Sequence, residues 1–79
     1  MTQDQTRCTL QVAVHYAGSF FSALAQAGLY ADPGNRERLV AAFPEFEQHY
    51  GPSTAFYQRM FPGSPSPSQG QGTSTPTNL

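Results

Sequence analysis

The chain is predicted to be all-α, a small helical hairpin or three-helix module with a disordered C-terminal tail, and three observations predict it. Apolar residues between Cys8 and Ala31 recur at spacings of three and four, the period of a helix face. Asp32-Pro33-Gly34-Asn35, Pro44 and Gly51-Pro52 then punctuate the chain at intervals suited to short helices. From Pro62 to Leu79 the sequence is Pro, Ser, Gly, Thr and Gln apart from Asn78 and Leu79, without charge, and has little to bury against the entropy of ordering it. The division that follows is a polar, flexible leader over residues 1–7, a helical domain over 8–61 and a tail over 62–79.

The first helix is expected to run unbroken from Cys8 to Ala31. Leu10, Val14, Ala17, Phe21, Leu24 and Gly28 form its apolar face, flanked by Ala13, Tyr16, Phe20, Ala23 and Ala27. Gln11, His15, Ser19, Ser22 and Gln26 form a polar stripe on the other side. Those polar groups argue against a membrane span, although the segment carries no formal charge. His15, Tyr16 and Ser19 likewise suit poorly the apolar stretch of a signal peptide, and the expected compartment is the cytoplasm.

Asp32 is placed to cap a second helix whose first residue is Pro33, with Asn35 as the alternative cap. Arg36, Glu37 and Arg38 are read on its outer surface and Leu39, Val40 and Phe43 on its inner one. Pro44 lacks an N–H and crowds the carbonyl of Val40, so it predicts a kink or a fresh helix. Phe43, Phe46 and Tyr50 keep helical spacing across it up to the Gly51-Pro52 stop. A last short helix is expected between Ser53 and Met60, closing the core with Phe56, Tyr57, Met60 and Phe61.

Composition narrows the function. Cys8 is the only cysteine, so no internal disulfide supports this small core. His15 and His49 have no metal-ligand spacing, and no metal or cofactor is expected. Four arginines against five acidic residues provide too little positive charge for generic nucleic-acid binding. Glu45, Glu47 and His49 share a segment, but neighbours two apart on a helix point apart, so they read as a solvated face. Asp32 reads as a cap rather than an acid, and no catalytic constellation emerges, so an enzyme is not expected. Arg59-Met60-Phe61-Pro62-Gly63-Ser64-Pro65 has the R-x-x-P-x-x-P form read by SH3-like grooves, weakened by Gly63.

What the chain has in excess is aromatic surface: six Phe and four Tyr, all between Tyr16 and Phe61. A few thin helices cannot enclose them all, and contiguous exposed apolar surface marks interaction sites. Phe21 and Leu24 are expected in the core. Tyr16, Phe20, Phe56 and Tyr57, with Arg36 and Arg38, are the expected protein-binding residues.

The run from Ala31 to Phe46, ADPGNRERLVAAFPEF, preceded by an alanine-rich helix, resembles small proteins of bacterial, prophage and phage genomes that have no established activity. The resemblance covers about half of the chain and carries no site residues with it. It implies a bacterial or phage setting in which such accessory proteins bind and block host machinery, defence complexes included. The expected function is therefore a protein-binding module, an inhibitor or adaptor of a host protein. The alternative is a self-associating structural or virion-assembly component.

Overall fold

The computed structural model describes residues 1–63. The tail from residue 64, with the second proline of the R-x-x-P-x-x-P motif, lies outside the described residues. Within them the chain is all-α, without a strand: α1 (Gln3–Tyr16), α2 (Ser19–Tyr30), α3 (Pro33–Ala42), α4 (Glu45–Tyr50) and α5 (Ala55–Met60). α1 packs against each of the other four, so the fold is built around it.

α1 begins five residues before the expected start, within the stretch read as a flexible leader. Thr2 and Gln5 form a capping box in which the Thr2 hydroxyl accepts from the Gln5 N–H at 3.1 Å. The Gln5 side chain accepts from the Thr2 N–H at 2.9 Å. Thr6 and Thr9 are fully buried, which a reading of threonine as polar conceals. The Thr6 hydroxyl donates to the Thr2 carbonyl one turn back, so the group enters the interior already satisfied.

The expected single helix from Cys8 to Ala31 is instead two, broken at Ala17 and Gly18, both of which have extended backbones. Ser22 spans the break, donating its hydroxyl to the Val14 carbonyl at 3.2 Å. The physical reason is burial. A straight helix of that length would leave its wide apolar face to the thin helices that follow, whereas folding back lets α1 and α2 cover each other. Gly28 of α2 sits where a side chain would collide with Leu10 of α1 and Leu39 of α3, at 2.8 and 2.7 Å from the position of a Cβ. Three helices converge there because nothing projects from Gly28.

Leu10 and Phe46, read as apolar-face residues, meet as expected, whereas Val12 and Ala25, which lie off the faces read from the sequence, are also fully buried. Leu10, Ala13, Ala25 and Phe46 are fully buried, surrounded by Val14, Phe21, Leu24, Leu39, Val40, Phe43 and Tyr50. Phe46 lies edge-on to Phe21 at 5.4 Å and to Phe43 at 6.4 Å, the T-shaped geometry aromatic quadrupoles favour. Of the two outcomes foreseen at Pro44, the chain adopts the fresh helix. α3 ends at Phe43 and Pro44 occupies the N-cap of α4.

Asp32 caps α3 as expected, its carboxylate accepting from the Asn35 N–H at 2.8 Å, with Pro33 at the first helical position. Asp32→Ala is expected to lower stability by about 1 kcal/mol. Urea denaturation checks this, and an unchanged midpoint would show that the α3 terminus is held by other groups.

Candidate interaction surface

The six nominated residues do not form one patch. Tyr16, at the end of α1, is half-buried under Phe56 of α5, with ring centroids 4.5 Å apart, and meets the His15 ring edge-on. The Tyr50 ring also lies 5.8 Å from Phe56, which remains 39% exposed. Phe20, in the first turn of α2, is 61% exposed and makes T-shaped contacts with Phe21 and Phe43. Arg38 is exposed.

Two nominated residues are internal. Tyr57 was expected both to close the core and to serve as a contact residue; α5 lies on α1 and buries it to 3% exposure, so the core role holds and the contact role does not. Burial pushes its hydroxyl above its ordinary value of 10, and a hydrogen bond and charge interaction with Cys8, with a further contribution from Asp4, act in the same direction. Cys8 is therefore a half-buried neighbour of Tyr57.

Arg36 was expected on the outer surface, but it folds back over the end of α2. Its Nε donates to the Gly28 carbonyl at 2.9 Å, and one terminal nitrogen donates to Leu29 and Ala31 at 3.2 and 3.0 Å. Those carbonyls belong to the last turn and its cap, where helical partners run out and the helix dipole is negative. A guanidinium satisfies several at once because its donors are splayed in a plane. The side chain thus ties α3 to α2 and is not available as a free contact.

One exposed aromatic was missed. Tyr30, the last residue of α2, is 92% exposed. Its signal was its spacing: Phe20, Ala23, Ala27 and Tyr30 follow one another at three, four and three residues, and all four are exposed. They lie on the side of α2 away from Phe21, Ala25 and Gly28, which face the core. α2 carries no charged residue.

Among the described residues no helix is long and apolar enough to cross a membrane, and no three His, Cys, Asp or Glu side chains gather as a metal-binding group. Glu45, Glu47 and His49 are all exposed. No known protein family, curated protein or solved structure matches the chain.

Proposed function

We propose that this protein is a non-enzymatic protein-binding module that acts through exposed aromatic side chains. The observation that supports this reading is the exposure of Phe20, Tyr30 and Phe56 on a domain whose core is already closed around Phe46. A small fold gains nothing in stability from such side chains, and aromatics are the residues most enriched at binding hot spots. Arg38, exposed on α3, supplies a cation for an acidic group on the partner. The setting we propose is the one implied by the resemblance of residues 31–46: a phage or mobile-element accessory protein in the bacterial cytoplasm. There it binds and inhibits or adapts a host complex such as a defence system.

Capture from a bacterial lysate by the tagged full-length chain tests this reading. A host protein is expected to be retained by the parent and lost with Phe20→Asp or Phe56→Asp, while circular dichroism of both variants stays that of the parent. A capture unaffected by both substitutions would remove the aromatic surface from the mechanism. A second reading, self-association in a structural or virion component, is favoured by the uncharged outward face of α2.

A further inference from the structure

The polar side chains of α2 are Ser19, Ser22 and Gln26, and an apolar stripe on a helix is normally covered by another element. α2 turns Phe21, Ala25 and Gly28 to the core, yet Phe20, Ala23, Ala27 and Tyr30 on its other side are exposed. The order of those four residues bears on what covers them. Spacings of three, four and three read the same in both directions, with an aromatic at each end and alanines in the middle. An antiparallel copy of α2 therefore sets Phe20 of one chain over Tyr30 of the other, twice, and Ala23 over Ala27, twice. This is the self-complementary contact that a closed two-fold dimer requires.

We infer that the outer stripe of α2 is the interface of a homodimer in which two copies of the helix pair antiparallel about an axis near Ala25. The inference deepens the second reading above and rests on it. Three further features fit this occupant. The alanines let the helix axes approach closely at the centre, while the aromatics close both ends. α2 itself brings no charged group to the seam, and antiparallel helix dipoles attract. The area also fits a weak dimer. With Phe20 61% and Tyr30 92% exposed, the aromatics of two copies offer about 600 Å² in total. The alanines, with Ser19 and Gln26 at the rim, bring this toward the roughly 1,000 Å² at which specific contacts begin.

Sedimentation equilibrium of the full-length chain over a range of concentrations tests the inference, with circular dichroism confirming helix content in each variant. The parent is expected to dimerise. Ala23→Glu should weaken the dimer at least about tenfold by placing a carboxylate in the apolar seam. Orientation is read from paired substitutions. Ala23→Glu combined with Ala27→Lys brings opposite charges together across an antiparallel seam and should recover dimerisation. Ala23→Glu combined with Ala27→Glu should not. A parent chain that stays monomeric up to about 1 mM, the weak limit of measurable association, overturns the inference, as does a dimer indifferent to Ala23→Glu. Equal behaviour of the two double variants overturns the antiparallel pairing. Host-protein capture by a monomeric chain, lost with Phe20→Asp, would assign the stripe to a foreign partner and leave the protein-binding function standing.

Discussion

Phe46→Ala is expected to leave the chain largely unfolded at room temperature. The ring is completely buried and meets Phe21 and Phe43 edge-on, at the point where α4 closes over the α1–α2 hairpin. Truncating a buried Phe costs about 3–5 kcal/mol, because the transfer free energy of the ring is lost and a cavity remains. A folded region of this size has only about 3–9 kcal/mol of stability in total, on the usual per-residue scale. Urea denaturation followed by circular dichroism gives the answer, with Phe20→Ala as the control. Phe20 is mostly exposed, so its removal should change stability by no more than about 0.5 kcal/mol. A Phe46→Ala chain as stable as the Phe20→Ala chain would mean that α4 is not part of the cooperative core.

Arg36→Met is expected to cost about 2–3 kcal/mol, a loss unusual for a residue amid the charged run Arg36-Glu37-Arg38. Methionine keeps much of the aliphatic stem and removes the guanidinium, leaving the carbonyls of Gly28, Leu29 and Ala31 without their side-chain donor. Hydrogen bonds to a charged group contribute about 1.5–3 kcal/mol each and are not additive on one side chain, which sets the estimate. Arg36→Lys should recover little, since one ammonium cannot reproduce the planar spread of donors. Arg38→Met provides the comparison, because that side chain is exposed and should be nearly neutral in stability. If Arg36→Met melts like the parent but loses a captured partner, the residue is a contact after all and its bonds to α2 are dispensable.

The local signals of this chain were legible because they act over a few residues. Asp32 before Pro33 caps a helix in almost any surroundings, since its carboxylate needs only the N–H groups that follow it. Pro44 and Gly51 end helices for equally local reasons. The fully buried Thr6 and Thr9 were harder to read. The Thr6 hydroxyl bonds back to the start of its own helix and that of Thr9 donates to the Met1 sulfur at 3.3 Å, so both behave as part of an apolar face, and composition cannot reveal that.

The interaction surface was less legible, since exposure depends on what lies opposite. Tyr16, Phe20, Phe56 and Tyr57 are alike in sequence as aromatic residues at the edge of helical stripes, yet α5 buries Tyr57, half-covers Tyr16 with Phe56 and leaves Phe20 bare. Tyr30, though one of the aromatics too many for the core, was not among the expected contact residues because the continuous helix expected from Cys8 to Ala31 has no separate outer face for it. Once the chain turns back at Ala17 and Gly18, α2 acquires its own inner and outer sides, and Tyr30 falls in line with Phe20, Ala23 and Ala27.

By itself the sequence determined the all-α class, the capped start of α3, the stops at Pro44 and Gly51, and the place of Leu10 and Phe46 in the core, though not that of Val12 and Ala25. Periodicity and backbone chemistry carry that information within a turn or two of helix. Only the tertiary structure decided that the first apolar segment is a hairpin, that Arg36 turns inward to the end of α2, and which aromatics remain outside. Each of those outcomes depends on groups distant in sequence competing for the same surface: two half-helices covering each other, a guanidinium finding the carbonyls at the end of α2, and the short helix α5 burying one tyrosine.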